Sequence, residues 1–171
     1  MALVPEFWTR IVILVDQHPT PLPAVECQLA WSRDLPLNVA VTRRVDTYTA
    51  EDKDECVRTK QVISLLLPHV HRCRNLSFDV MFSSSLPSFL DDFKDSAPLL
   101  RCLKLECKED DGGAPHCDAR NNATTTSTTL DAQTEHEGFQ CPALRQLTID
   151  GRNFYNAGRM GPSWSGMLSG M

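Results

Sequence analysis

The sequence lacks an apolar run of the roughly 18–20 residues that a membrane-spanning helix requires. Its richest stretch, Ile11-Val12-Ile13-Leu14-Val15, follows Pro5-Glu6, where a secretory signal would carry positive charge. A buried strand is the better reading. The chain also lacks a basic excess. Its 22 acidic residues outnumber 17 Lys and Arg, the formal charge is −5, and no Lys/Arg stripe is visible along it. A phosphate-tracking nucleic-acid surface is therefore not expected, and no membrane partner is expected either. A paired cysteine framework is missing as well. Cys27, Cys56, Cys73, Cys102, Cys107, Cys117 and Cys141 are odd in number and irregularly spaced. A chain of 171 residues can bury a core without cross-links. The cysteines are accordingly expected to be mostly free thiols in a reducing compartment, cytoplasmic or nuclear. Asn75-Leu76-Ser77 and Asn122-Ala123-Thr124 match the glycosylation pattern, but such triplets are common by chance and the first falls in an expected strand.

What is present fits one globular domain, with 42% apolar and 23% charged residues. Five strand signals recur: Ile11-x-Ile13, Val39-x-Val41, Leu76-x-Phe78, Leu103-x-Leu105 and Leu147-x-Ile149. Their intervals are 28, 37, 27 and 44 residues, and two of the four fall in the range of leucine-rich repeats. The last three units share a longer frame: Cys73-x-x-Leu76-x-Phe78, Leu100-x-x-Leu103-x-Leu105 and Leu144-x-x-Leu147-x-Ile149. A further apolar residue stands three positions earlier in each, at Val70, Ala97 and Cys141, and Trp8-x-x-Ile11-x-Ile13 fits the same frame. The period-2 pair points inward from a strand, and the earlier residue fills the corner where the chain turns into it. One such unit cannot bury its own apolar side, whereas stacked neighbours can.

The intervening segments read as helices. One spans roughly Ala24 to Ser32, with Val25 and Leu29 inward. A second begins near Thr49-x-x-Asp52, a capping pattern with Glu51, Asp52, Asp54 and Glu55 at the positive end of the dipole. Its stripe is Ile63, Leu66, Leu67 and Val70, and Pro68 should stop or bend it. A third is expected from Ser85, with Leu86, Phe89, Leu90 and Phe93 buried. The expected fold is α/β: a short leucine-rich-repeat-like solenoid with a curved parallel sheet and helices on its outer face. Residues 1–107 form the repeat-like region and 139–155 its final strand unit. Residues 108–138, charged, then Gly-Gly, then Asn/Thr/Ser-rich, read as a disordered insertion, and 156–171 as a disordered tail.

Several residues resemble a known family. Pro5-Glu6-Phe7-Trp8-Thr9-Arg10-Ile11-Val12-Ile13 and Trp31-Ser32-Arg33-Asp34-Leu35-Pro36-Leu37-Asn38-Val39 resemble the region following the F-box in basidiomycete F-box proteins. Leu67-Pro68-His69-Val70-x-Arg72-x-Arg74-Asn75-Leu76, Ser85-Leu86-Pro87 and Pro142-x-Leu144-x-x-Leu147-x-Ile149-Asp150-Gly151 are similar to later parts of that region. The resemblance covers residues 5–155 apart from the insertion. It implies a non-catalytic target-recognition subunit of an SCF-type ubiquitin ligase, in which an F-box docks the adaptor subunit and the repeats capture a protein. The F-box helices themselves are absent from this sequence, so adaptor binding is expected only with an upstream F-box. The Asn that such repeats carry after each strand is also absent: Met81, Lys108 and Arg152 occupy those places.

Chemistry-bearing clusters carry little. Cys107, His116, Cys117, His136 and Cys141 share one stretch, but their only close pair is adjacent, unlike C-x₂₋₄-C zinc spacing. No metal or cofactor is expected. His69 and His71 near Cys73 lack any accompanying oxyanion-hole motif, so no catalytic residue is assigned. Asp91-Asp92 and Glu109-Asp110-Asp111 do not match a calcium loop, and Asp111-Gly112-Gly113 lacks the Gly-Lys-Ser/Thr of a phosphate loop. What remains is a surface. Solenoid sites lie on the outward strand residues. Here these are Asn38, Ala40 and Thr42; Asn75, Ser77 and Asp79; Cys102, Lys104 and Glu106; and Gln146, Thr148 and Asp150. The expected role is protein binding, by an F-box-type substrate adaptor or by a stand-alone repeat scaffold with no ubiquitin link.

Overall fold

A computed structural model describes residues 5–47, 52–88, 92–93, 96–111, 139–151 and 154. Its five strands are β1 (Arg10–Leu14), β2 (Leu37–Thr42), β3 (Cys73–Phe82), β4 (Cys102–Glu109) and β5 (Gln146–Thr148). Two helices, α1 (Leu22–Trp31) and α2 (Glu55–Leu66), precede β2 and β3. The strands form one sheet in chain order, every neighbour pair parallel. All five sequence frames align: Ile11 pairs with Val39, Val39 with Leu76, Leu76 with Leu103 and Leu103 with Leu147.

The register follows from burial. Ile11, Ile13, Val39, Val41, Leu76, Phe78, Leu103 and Leu105 are all 2% exposed or less, so a one-residue slip of any strand would turn its apolar set to water. Burying one such side chain contributes about 2 kcal/mol. The corner residues behave alike in three units. Val70, Cys73, Ala97, Leu100, Cys141 and Leu144 are all buried. In each unit the first residue's carbonyl accepts a hydrogen bond from the second's N–H: Cys73 to Val70, Leu100 to Ala97 (3.1 Å) and Leu144 to Cys141 (3.0 Å). The same turn therefore feeds β3, β4 and β5.

Helix α1 starts with Pro in its first turn and buries Val25 and Leu29, one turn apart. It ends where Arg33 adopts φ 50°, a left-handed residue that reverses the chain. Arg72, in the 3-10 turn Leu67–Arg72, lies buried against that end. Its guanidinium donates to the carbonyls of Leu29 (3.0 Å), Leu35 (3.1 Å) and Arg33 and to Ser32 Oγ (2.9 Å), satisfying carbonyls that the helix leaves open. Burial holds the Arg72 pKa below its ordinary value. In α2, Val62, Ile63 and Leu66 are buried, and Pro68 coincides with the change to 3-10 geometry, as the sequence predicts.

Two expectations are corrected. Asp52 makes no cap: it is buried and pairs with Arg43 (3.2 Å) and Arg58 (2.5 Å), while Thr49 and Glu51 lie outside the described residues. Glu55 stands in the first turn of α2, at the expected place, and is fully buried. Its carboxylate accepts from Arg43 Nη1 (2.8 Å), Met81 N (2.9 Å), Phe82 N (3.1 Å) and Ser85 Oγ (2.9 Å). It thus satisfies the backbone where β3 ends. The other correction is at Ser83–Ser85, which forms a 3-10 turn instead of opening a described α-helix. Leu86 and Phe93 are buried there, and Phe89 and Leu90 lie outside the described residues. Strand β4 also runs to Glu109, into the segment expected as an insertion, of which residues 112–138 lie outside the described residues.

Candidate interaction face

The polar ties of this fold gather at the C-terminal edge of the sheet. Beyond β1, Asp16 accepts from Arg44 Nη1 (2.7 Å) and the amides of His18 (2.9 Å) and Arg44 (3.2 Å). Burial alone would raise the Asp16 carboxyl; those hydrogen bonds and the Arg44 charge outweigh it and hold the pKa low. Arg58 donates to the Val15 carbonyl (2.9 Å). Beyond β3, Ser83 Oγ donates to Asp110 (2.9 Å) and Asp111 (2.8 Å), and Ser84 N donates to Asp111 (3.0 Å). The end of β1 is thereby linked to that of β2, and the end of β3 to that of β4, which helps fix the sheet on which the candidate face lies.

One side of the sheet carries the core with α1 and α2. The other side is uncovered by any helix among the described residues. The ladder places nine of the ten residues singled out as binding candidates in three rows across it. Arg10, Asn38, Asn75, Cys102 and Gln146 form the first; Val12, Ala40, Ser77, Lys104 and Thr148 the second; Leu14, Thr42, Asp79 and Glu106 the third. Asp150 follows β5, half-buried, past the last paired position. Asn75 Nδ2 donates to Asn38 Oδ1 (2.5 Å), and Ser77 Oγ to the Val39 carbonyl (3.4 Å). Lys104 pairs with Glu106 (2.8 Å) and Lys108 with Asp79 (3.2 Å). The hydrogen bond from Lys104 to Glu106, with the charges of Glu106 and Asp79, holds the lysine above its ordinary pKa. Half-exposed pairs like these contribute about 1 kcal/mol or less, so they set the charge pattern more than the stability. The chemistry on offer is hydrogen bonding and ion pairing.

The fold brings together three basic residues that the chain keeps apart. Arg74, Arg101 and Arg145 stand immediately before the first row, all exposed. Arg101 N donates to the Arg74 carbonyl (2.7 Å), and Arg145 N to the Arg101 carbonyl (2.9 Å), so they sit side by side. Intervals of 27 and 44 residues scatter them in the chain, and only the frame Arg-x-Leu-x-apolar, shared by three units, marks them.

Other clusters are placed as follows. Cys73 Sγ is 3.4 Å from the main-chain oxygen of His69, and burial pushes the thiol up to about 12. Burial, then the Arg72 and His71 charges, lower the His69 pKa. Asp92 pairs with Lys60 (3.0 Å), and Asp91 lies outside the described residues. Cys141 is buried, Cys107 is half-buried at the end of β4, and His116, Cys117 and His136 lie outside the described residues. Among the described residues no group of three or more His, Cys, Asp or Glu is arranged to hold a metal ion. Among the described residues Cys27, Cys73, Cys102, Cys107 and Cys141 are free thiols and Cys56 is disulfide-bonded. No described helix is long and apolar enough to cross a membrane. The chain matches no protein-family model, and neither curated proteins nor solved structures provide a match.

Proposed function

We propose that the chain is a non-catalytic protein-binding module that captures its target on the open face of the sheet. The observation carrying this reading is the side of the sheet that no helix covers among the described residues. Parallel sheets are ordinarily covered on both faces, and here an ordered set of amides, hydroxyls and paired charges is left facing outward. A leucine-rich-repeat-like solenoid accounts for the one-sided arrangement: unit follows unit in strand order, the same turn recurs before β3, β4 and β5, and the helices share one side.

The more specific role is target recognition for an SCF-type ubiquitin ligase, as the resemblance to basidiomycete F-box proteins suggests, with cytoplasmic or nuclear residence. The five free thiols support a reducing compartment, and the Cys56 disulfide runs against it. The adaptor subunit is a partner only when an F-box precedes these units. The test is co-purification of the gene product expressed from its own locus. The ligase adaptor should come down with it, together with a client protein lost on Ser77→Arg and retained on Gln61→Arg on α2. Absence of the adaptor removes the ligase role and leaves the second reading, a stand-alone repeat scaffold. Retention of the client by Ser77→Arg removes the open face as the binding surface.

A further inference from the structure

We infer that the N-terminal rim of the open face recognises an acidic protein segment, a run of carboxylates crossing the starts of β3, β4 and β5. The inference rests on the reading of that face as a binding surface and names the chemistry of its partner.

The argument begins with what the fold demands at these positions. Each arginine lies between two buried residues of its frame: Cys73 and Leu76, Leu100 and Leu103, Leu144 and Leu147, of which only Leu147 is half-buried. Packing is therefore satisfied on both sides, and the arginine position is left to water. Any polar residue would serve the fold there. Arginine nevertheless occupies all three, in a chain whose acidic residues outnumber its basic ones.

Intramolecular neutralisation does not account for them. None of Arg74, Arg101 and Arg145 makes an ion pair among the described residues, while Arg43, Arg44 and Arg58 each do. The carboxylates of the face lie at its other end. Asp79 is five residues along β3 from Arg74, and Glu106 five along β4 from Arg101, about 16 Å of strand in each case. That exceeds the screening length of about 8 Å at physiological salt. The sheet face is thus polarised, with unpaired cations at one rim.

Geometry favours a peptide over a polyphosphate. Adjacent strands lie about 4.8 Å apart, so the three guanidiniums start from backbone points spread over about 10 Å. An extended segment advances about 3.3 Å per residue, so carboxylates two or three residues apart fall within reach of neighbouring forks. The next row along the face supplies Asn38, Asn75 and Gln146, whose amides suit main-chain groups of such a segment. A nucleic acid asks for a longer phosphate-tracking stripe than three residues.

The full chain is titrated into a fluorescein-labelled octaglutamate, read by fluorescence anisotropy. Saturable binding is expected at about 50 mM salt and largely lost at about 300 mM. Arg74→Ala, Arg101→Ala and Arg145→Ala each weaken it about threefold, and the triple Arg→Glu variant abolishes it. Lys53→Glu, on the opposite edge, leaves binding unchanged, and octaglutamine does not bind. The arginines are exposed, so the single variants should melt with the wild type. Absence of saturable binding by the wild type overturns the inference, as does equal weakening by Lys53→Glu or tighter binding of an eight-residue oligothymidylate. Failure here leaves the open face itself standing, because that reading falls only with a client that ignores Ser77→Arg.

Discussion

Glu55 offers the sharpest test of how the sheet is held. Its carboxylate is the only side chain described that joins β2, α2 and the end of β3 at once, through Arg43, Met81, Phe82 and Ser85. Glu55→Ala removes the acceptor for two backbone N–H groups and a hydroxyl, and takes from buried Arg43 one of its two carboxylate partners among the described residues, the other being Asp52 at 3.2 Å. Breaking a buried ion pair costs about 3–5 kcal/mol, and each orphaned buried donor about 1–3 kcal/mol. These overlap, since relaxation and water relieve part of each, so a net loss of about 4 kcal/mol is expected. Against a domain stability of about 5–15 kcal/mol that is a large share. Glu55→Gln keeps one carbonyl acceptor but turns an amide donor toward other donors, and should lose about 2–3 kcal/mol. Asp54→Ala, one residue earlier and exposed, should stay within about 0.5 kcal/mol of wild type. Urea unfolding followed by circular dichroism reads all three, provided the m-value is unchanged. A Glu55→Ala midpoint that implies a loss under about 1 kcal/mol refutes the reasoning; the carboxylate would then be incidental and the strand ends held otherwise.

Two further outcomes follow from the same coordinates. Asp16 is depressed in the folded state, so its contribution to stability is complete above the unfolded aspartate value of about 3.9 and drains away as pH falls through the lower folded value. Asp16→Asn should flatten the acid limb of the stability–pH curve, and an unchanged limb contradicts the Arg44 pairing. For the thiols, burial raises Cys73 and Cys141 to about 12 each, and Cys107, which acidic neighbours also push up, to about 11. Native protein at pH 8 should therefore be alkylated first at exposed Cys27 and far more slowly at Cys73 and Cys141, as peptide mass mapping of a time course will show.

The strands were legible because each announces itself with a period-2 pair and a corner residue, and their shared frame also carried the register: Leu76, Leu103 and Leu147 do lie on adjacent parallel strands. Helix α2 was legible in its apolar stripe but not in its first turn. A glutamate at a helix start satisfies the dipole rule whether it faces water or the interior, and only the third dimension shows Arg43 arriving from β2 to meet it. The third helix, expected from Leu86, Phe89, Leu90 and Phe93, falls largely outside the described residues; Leu86 and Phe93 are buried, and Asp92 N donates to the Ser88 carbonyl (3.0 Å). Phe93 owes its place to Phe139, stacked on it at 4.7 Å from 46 residues away, a contact no local periodicity foretells. The arginine rim was hidden for the same reason, its members being neighbours only through backbone hydrogen bonds between strands.

The recurrent turn ahead of β3, β4 and β5 frees the fold from counting residues. Because Val70 with Cys73, Ala97 with Leu100, and Cys141 with Leu144 each reset the phase locally, the distance travelled since the previous strand carries no information about alignment. Intervals of 27 and 44 residues consequently deliver Leu103 and Leu147 to the same level of the sheet. Lengthening a connection then perturbs neither the neighbours it joins nor the face they present, and evolution can edit such segments as independent text.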